Sequence, residues 1–192
     1  MNNALFVVDG PSGAGKSHLL RYAETHCDGA AVIPKLTTRP RRAGETDESW
    51  SDLIHVTKSM FAEIDPDYRY TWHGHDYGFS GPDLITRLAE ARSCFVVVRD
   101  LATIRRLSDD FPHVNVVPIF VLASNETRGR RLQAAGLDPA EVDRRLAWDD
   151  DPAGHHSENE GLYRVCLQND HSLEVFHRLI GEMVAKHVGA QR

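Results

Sequence analysis

The 192-residue chain has few cysteines, few lysines and no long hydrophobic run. Its cysteines, Cys27, Cys94 and Cys166, form no C-x-x-C pair, which argues against a disulfide framework or a zinc site and favours a reducing compartment. No apolar stretch approaches the roughly 18 residues that span a bilayer, and residues 1–4 lack the basic start of a signal peptide. We therefore expect a cytoplasmic protein with no membrane partner.

The chain also lacks an excess of positive charge. It contains 22 basic and 28 acidic residues, and its formal net charge is −6. Nucleic-acid binding depends largely on positive charge that neutralises phosphates, so we expect no nucleic-acid partner. Hydrophobic residues make up 41% and charged residues 26%, an ordinary balance for a globular protein, and this length favours one domain.

Short apolar runs alternate with helical patterns along the chain. Strands are predicted at residues 4–8, 30–33, 94–98, 116–122 and 163–167, with the continuous apolar runs typical of a parallel sheet buried on both faces. Helices are predicted at residues 17–26, 82–91, 101–107, 126–134, 140–148 and 172–188. Residues 37–51 and the acidic segment 149–161 are predicted to be exposed loops. This alternation predicts an α/β sandwich with a mainly parallel central sheet.

Residues 10–17 read Gly-Pro-Ser-Gly-Ala-Gly-Lys-Ser and match the phosphate-loop pattern G-x-x-x-x-G-K-[ST] in full. The glycines allow successive backbone N–H groups to surround phosphate oxygens, and the start of the following helix adds a favourable dipole. Lys16 can reach the β- and γ-phosphates, and the Ser17 hydroxyl can ligate Mg²⁺. The loop therefore predicts a nucleoside triphosphate site, to which we assign Gly10, Ser12, Gly13, Ala14, Gly15, Lys16 and Ser17.

A second phosphate-binding pattern follows at residues 37–45. Arg39, Arg41 and Arg42 lie within four residues, and the planar guanidinium binds phosphate oxygens in pairs. Together with the phosphate loop, Thr-Thr-Arg-Pro-x-Arg-x-Gly-Glu resembles the guanylate kinases. In that family two spaced arginines bind the phosphate of the acceptor nucleotide, which implies this role for Arg39 and Arg42. The alternative is a solvated basic loop that pairs with Glu45 or Asp47.

The resemblance extends over most of the chain. Asp-Tyr-Gly at residues 76–78 resembles the family's Tyr-Tyr-Gly, whose second tyrosine binds the acceptor phosphate, so Tyr77 is implied in the same contact. Asp100 ends a predicted strand where the family carries an aspartate near the reacting phosphates, and it becomes the candidate base if the acceptor is a hydroxyl. Asn169 matches an asparagine close to the adenine. The resemblance implies ATP and Mg²⁺ as cofactors.

The helices at residues 126–134 and 140–148 resemble the lid of the family. Arginines from these two helices close over ATP there and stabilise charge on the transferring phosphoryl group, which implies catalytic roles for Arg131, Arg144 and Arg145. The usual arginine between the helices aligns with Ala135. We expect Arg128 and Arg130 to lie on exposed helix faces and to pair with nearby acidic residues.

The departures from the family concern the residues that read guanine. A serine, a glutamate and a small hydroxyl residue are replaced here by Lys35, by Thr71 or His73 depending on the gap, and by Phe79. The residues implied in phosphate binding are retained, whereas those that recognise guanine are replaced. We therefore infer a phosphate-bearing acceptor other than GMP.

Trp72-His73 ahead of Tyr77-Gly78 is similar to the ribose 1,5-bisphosphate phosphokinases of the same superfamily, although those tend to lack the second acceptor-loop arginine that Arg42 supplies. A sugar-phosphate kinase is therefore the alternative. The candidate acceptor-binding residues are Lys35, Arg39, Arg42, Trp72, His73 and Tyr77.

We expect a single P-loop kinase domain over residues 1–192, folded as a three-layer α/β/α sandwich. Its core comprises residues 1–34, 82–124 and 162–192, its acceptor-binding region residues 35–81, and its lid residues 125–161. The predicted function is an ATP-dependent phosphotransferase, monomeric or homodimeric, that acts on a phosphorylated small molecule. A non-catalytic guanylate kinase-like binding module is the alternative of another class, against which the intact Lys16 and Ser17 argue.

Overall fold

A computed structural model of the chain describes residues 3–42, 45–46 and 49–188. The strands in these ranges are β1 Ala4–Asp9, β2 Ala30–Val32, β3 Lys35–Thr37, β4 Leu53–His55, β5 Tyr68–Trp72, β6 His75–Phe79, β7 Ser93–Val97, β8 Asn115–Leu122 and β9 Val165–Gln168. The helices are α1 Lys16–His26, α2 Lys58–Ile64, α3 Gly81–Glu90, α4 Leu101–Asp110, α5 Asn125–Ala134, α6 Pro139–Trp148, α7 Pro152–Glu158 and α8 Leu173–Val188.

The central sheet is parallel, with the strand order β2-β7-β1-β8-β9. All six residues of β1 are buried because strands flank it on both sides and helices cover both faces. Phe6 and Val8 face a core cluster formed with α1 and α8, whereas Leu5 and Val7 face one formed with α3 and α4. The predicted three-layer α/β/α sandwich is confirmed.

A smaller four-stranded sheet, of order β4-β3-β6-β5, lies within the predicted acceptor-binding region. Its antiparallel hairpin β5–β6 turns at His73 and Gly74, which have φ angles of 48° and 75°. Tyr70 and Phe79 pack into the same core cluster as α3 and α4. This packing fixes the hairpin against the central sheet and therefore determines where its turn lies.

The acidic segment 149–161 was expected to be a loop, and that expectation is wrong because it contains α7. Asp151 caps this helix by accepting a hydrogen bond from the Gly154 N–H at 2.9 Å, and Pro152 occupies its first turn. Proline is compatible with the first turn of a helix, where no N–H partner is needed.

Residues 37–51 were also expected to form an exposed loop, but the segment begins inside β3 and Thr37 is buried. No helix among the described residues has both the length and the apolar character needed to cross a membrane.

Candidate active site

The phosphate loop has, at three of its positions, a backbone conformation that favours glycine. Gly10, Gly13 and Gly15 have φ angles of 136°, 78° and 106°. A Cβ atom on Gly10 would lie 2.3 Å from the Val121 carbonyl oxygen, and one on Gly15 would lie 2.5 Å from Asn169 Nδ2. Within the described residues, the N–H groups of Gly13, Gly15, Lys16 and Ser17 donate to no other atom. The loop therefore fits a phosphate chain, which requires closely spaced amide donors at a helix start.

Lys16 and Ser17 both line the cavity beside this loop. The Lys16 Nζ donates hydrogen bonds to the carbonyl oxygens of Gly10 and Pro11 at 2.6 and 2.8 Å. Burial, with the nearby Arg99, lowers the pKa of Lys16, whereas Asp9 and Asp149 oppose that shift.

Asn169 braces the phosphate loop from the end of β9. Its Nδ2 donates to the Ala14 carbonyl oxygen at 2.7 Å, and its Oδ1 accepts from Arg131 Nη2 at 3.2 Å. Asn169 is 4% exposed, so its amide is committed to the loop and to the lid arginine. The resemblance implied a position near the adenine, whereas the contacts of the side chain are with the phosphate side of the site.

A cavity of about 740 Å³ lies between the phosphate loop, the smaller sheet and helices α5 and α6. It brings together fourteen of the predicted site residues, namely Ser12, Gly13, Gly15, Lys16, Ser17, Lys35, Arg39, Arg42, Trp72, His73, Tyr77, Arg131, Arg144 and Arg145. The basic residues in its lining are Lys16, Lys35, Arg39, Arg41, Arg42, Arg99, Arg131, Arg144 and Arg145, and the acidic ones are Glu45, Asp52 and Glu141. The cavity is thus strongly basic within an acidic chain, which favours an anionic ligand.

The acceptor-loop arginines share one carboxylate. Arg39 is 9% exposed, and its Nη2 donates to both Glu45 oxygens at 3.0 and 2.9 Å. Arg42 Nε lies 3.9 Å from Glu45 Oε1. Partial burial, with the neighbouring Arg39, lowers the pKa of Arg42 to about 10. Two guanidinium groups against one carboxylate leave net positive charge in the cavity. The alternative interpretation of this loop was a pairing of its arginines with Glu45 or Asp47. Arg39 and Arg42 do contact Glu45, and Asp47 lies outside the described residues.

The resemblance implied that Lys35 replaces a serine that recognises guanine in the guanylate kinases. Lys35 is 3% exposed, and its Nζ lies 3.5 Å from Asp52 Oδ2 and 5.7 Å from the centre of the Tyr77 ring. Tyr77 in turn stacks on Tyr70, with 5.5 Å between ring centres. Phe79 is buried in the core. A buried pair of an ammonium and a carboxylate group, Lys35 and Asp52, therefore lies where the resemblance implied a neutral serine hydroxyl in the guanylate kinases.

Aromatic side chains connect the hairpin turn to the end of the lid. His73 stacks on Trp148 with 3.8 Å between ring centres, and Trp72 meets His73 edge to face at 4.6 Å. The Arg99 guanidinium lies 4.4 Å from the centre of the Trp72 ring. Neither Trp148 nor Arg99 belongs to a recognisable sequence motif, so only the fold brings them to the site.

Asp100, the candidate base if the acceptor is a hydroxyl, lies outside the lining of the cavity. Its Oδ2 accepts hydrogen bonds from the N–H and the hydroxyl group of Thr103, both at 2.7 Å, so the carboxylate caps α4. Successive side chains at a strand end point in opposite directions, and here Arg99 lines the cavity in place of Asp100. The contacts of Asp100 therefore give it a capping role.

The lid arginines Arg144 and Arg145 both line the cavity and both pair with Glu141. Arg145 is buried, and its Nε donates to Glu141 Oε1 at 2.6 Å. Arg144 is exposed and lies 5.3 Å from the centre of the Trp148 ring.

The expectation for Arg128 is wrong, because its side chain is fully buried. Its Nε donates to the Ser12 carbonyl oxygen at 2.9 Å, and its Nη1 donates to Asn125 Oδ1 at 2.6 Å and to the Asp149 carbonyl oxygen at 2.7 Å. Arg128 thus fastens α5 to the phosphate loop. Arg130 is exposed, as expected.

Comparison with known proteins agrees with this geometry. The chain is 32% identical over 168 residues to a guanylate kinase from Nitrosococcus oceani, covering 84% of this chain and 80% of that protein. The chain belongs to the guanylate kinase-like family of P-loop kinases. The resemblance and the assignment as a kinase are thereby confirmed.

A ribose 1,5-bisphosphate phosphokinase from Pseudofrankia inefficax is also similar to this guanylate kinase-like chain. It is 29% identical over 174 residues, covering 88% of this chain and 84% of that protein. The crystal structure of guanylate kinase from Anaplasma phagocytophilum has the same fold, with a TM-score of 0.64, 20% identity, and coverage of 96% of this chain and 86% of that one. The chain matches no protein-family model.

Proposed function

We propose that this kinase transfers a phosphoryl group from ATP to a phosphate-bearing small molecule other than GMP. The observation that carries the proposal is the shared cavity of about 740 Å³, which joins the phosphate loop to a second phosphate-binding set, Arg39, Arg42 and Tyr77. A donor and an acceptor that each carry phosphate require two separate sets of cationic groups facing one space.

The donor would bind on the phosphate loop. The unpaired N–H groups of residues 13 and 15–17 would receive the phosphate oxygens, Lys16 would contact the terminal phosphates, and the exposed Ser17 hydroxyl would hold Mg²⁺. Bound Mg²⁺ supplies neutralising charge to the phosphates. Asn169 and Arg131 keep the loop in place through the Ala14 carbonyl oxygen.

Transfer between two phosphates needs no general base because the acceptor oxygen is already ionised. The chain's own residues then contribute orientation and positive charge. Arg39 and Arg42 orient the acceptor, while Lys16, Arg131 and Arg145 surround the space where charge develops during transfer. The capping role of Asp100 fits this proposal, which assigns no proton transfer to that carboxylate.

The non-phosphate part of the acceptor would face Lys35, Asp52 and Trp72. Guanine recognition depends on an anionic acceptor of hydrogen bonds from the base, and here the hairpin presents Trp72 and His73 to the cavity. The Asp52 carboxylate is already paired with Lys35 at 3.5 Å. These contacts support an acceptor other than GMP.

A sugar-phosphate kinase is the second candidate. Paired ammonium and carboxylate groups, as in Lys35 and Asp52, provide a donor and an acceptor for neighbouring hydroxyl groups, and an aromatic face such as Trp72 suits the apolar side of a sugar ring. The similarity to a ribose 1,5-bisphosphate phosphokinase supports the same candidate.

The test is ADP release from Mg·ATP in the presence of single acceptors, with Lys16→Ala as the blank. The acceptors would be nucleoside and deoxynucleoside monophosphates and phosphorylated riboses. We expect turnover with one acceptor other than GMP, and a loss of about 10³-fold in the folded Lys16→Ala variant. GMP as the best acceptor would contradict the inferred specificity, and ATP binding without turnover would favour a binding module.

A further inference from the structure

The carboxylate of Asp149 lies against the phosphate loop. Its Oδ2 accepts a hydrogen bond from the Ser12 N–H at 3.0 Å, and its Oδ1 accepts from Arg99 Nη2 at 2.7 Å. The buried Arg128 is also near, with Nη2 3.7 Å from Asp149 Oδ2. Asp149 was expected to lie in a solvated acidic run, but its side chain is only 10% exposed.

The two donors that Asp149 contacts both belong to the cavity. Ser12 lies in the phosphate loop, and Arg99 lines the cavity between that loop and Trp72. Arg99 also lies 3.0 Å from Asp9, so it is fixed between two carboxylates. A backbone N–H of a phosphate loop beside a guanidinium is a set of donors that suits a phosphate oxygen.

Asp149 carries a negative charge at neutral pH. Burial alone would raise its pKa, but Arg99 and the Ser12 N–H outweigh burial, so the pKa is lowered. The side chain thus presents a charged, two-oxygen group to donors that also suit phosphate. Its position in the chain matters as well, because Asp149 directly follows α6 and directly precedes the lid segment that contains α7.

We propose that the Ser12 N–H and Arg99 form the site for the terminal phosphate of the donor nucleotide, and that the Asp149 carboxylate competes for that site. The proposal rests on the proposed function, since it takes ATP as the donor. Binding of a triphosphate would replace the two hydrogen bonds of Asp149 with equivalent bonds to the terminal phosphate. ADP, which lacks that phosphate, would leave Asp149 in place.

The exchange has a consequence for the acceptor side. Trp148, which precedes Asp149, stacks on His73 of the hairpin at 3.8 Å. Movement of Asp149 away from the loop would displace Trp148 and so change the wall that faces the acceptor. The proposal therefore links the arrival of a triphosphate to the shape of the acceptor site.

The experiment measures the dissociation constants of Mg·ATP and Mg·ADP by calorimetry for the wild-type protein, Asp149→Asn and Asp149→Ala. Asp150→Asn is the matched control, since it removes the same charge from the adjacent exposed residue. We expect roughly tenfold tighter ATP binding in both Asp149 variants, because a charged competitor for two hydrogen bonds is removed. We expect ADP binding in these variants, and both constants of Asp150→Asn, to stay within about threefold of wild type.

Equal changes for ATP and ADP, or weaker ATP binding in the Asp149 variants, would overturn the proposal and leave Asp149 a structural tie of the lid. Wild-type protein that binds neither nucleotide would overturn the proposed function, and this inference with it. Melting temperatures measured alongside show whether each variant is folded, and the second substitution supplies the result if the first does not fold.

Discussion

The donor side and the acceptor side that we propose for the cavity are built in different ways. The donor side is one run of eight residues whose backbone N–H groups make the site, and positive φ angles at three glycines set their direction. The acceptor side is built from side chains that arrive from β3, the loop after it, the β5–β6 hairpin and α6. A site made from local backbone follows from a short motif, whereas a site made from distant side chains depends on packing elsewhere in the fold.

Substitution of a phosphate-loop glycine tests the local nature of the donor side and has the largest expected effect. In Gly10→Ala the new Cβ would lie 2.3 Å from the Val121 carbonyl oxygen at a φ of 136°. We expect ATP binding to be lost and the free energy of unfolding to fall by about 4 kcal/mol or more, because backbone atoms must shift. Calorimetry and thermal unfolding measure both effects.

Gly136→Ala is the matched control for that substitution. Gly136 also has a positive φ, of 80°, but a Cβ there would meet nothing within 4 Å. We expect a loss of stability of only about 1–2 kcal/mol, from backbone conformation alone. Equal effects at Gly10 and Gly136 would show that the close approach to Val121 does not constrain the loop.

Substitution of Arg128 tests whether the donor side also depends on α5, which is distant from the phosphate loop in the sequence. Arg128→Ala would remove the hydrogen bonds to the Ser12 and Asp149 carbonyl oxygens and leave the Asp149 carboxylate with fewer partners. We expect a loss of about 3 kcal/mol in the free energy of unfolding, which corresponds to roughly 6–12 °C in melting temperature for a chain of this size.

The exposed Arg130, two residues away on the same helix, is the control for Arg128. We expect Arg130→Ala to change stability by less than about 0.5 kcal/mol. A loss below about 1 kcal/mol for Arg128→Ala would contradict the view that α5 supports the phosphate loop.

Substitution of Arg39 tests whether the donor side and the acceptor side are separate, and it has the smallest expected effect of the three substitutions. Arg39→Ala would remove a guanidinium that we propose to bind the acceptor phosphate, so we expect the acceptor KM to rise about 10- to 100-fold. The KM for ATP should change by less than about threefold because the donor side is a separate set of groups. Steady-state kinetics with the acceptor identified by ADP release measures both constants.

Arg69→Ala is the control for Arg39, since Arg69 lies exposed on β5 of the same small sheet. We expect both KM values to match those of the wild-type protein. Equal increases in the two KM values of Arg39→Ala would contradict its assignment to the acceptor.

Much of the fold was predictable because its signals are local. The continuous apolar runs of β1, β7 and β8 identified the buried parallel strands, and the phosphate loop followed from its glycines and lysine. The helix α7 was missed because composition suggested a loop, while the cap at Asp151 and the proline in the first turn favour a helix start.

The candidate site was predictable where the family motifs supply it and not elsewhere. Arg39, Arg42 and Tyr77 were implied by the resemblance to the family's motifs, and they line the same cavity as Lys16. Arg128 was expected on the surface but is buried, and Arg99 lines the cavity although no motif contains it. In both cases the direction in which the side chain points depends on how its element packs.

The parallel α/β core and the phosphate loop follow from the sequence alone, because hydrophobic periodicity and backbone freedom act over a few residues. The two arginines of the acceptor loop were implied by the resemblance to the guanylate kinase motif. Three other features depend on the packed fold: Arg128 is buried, Lys35 pairs with Asp52, and Asp149 accepts a hydrogen bond from the Ser12 N–H. These contacts join residues that are far apart in the chain. Such contacts form only when helices and sheets pack, and packing is a property of the whole fold.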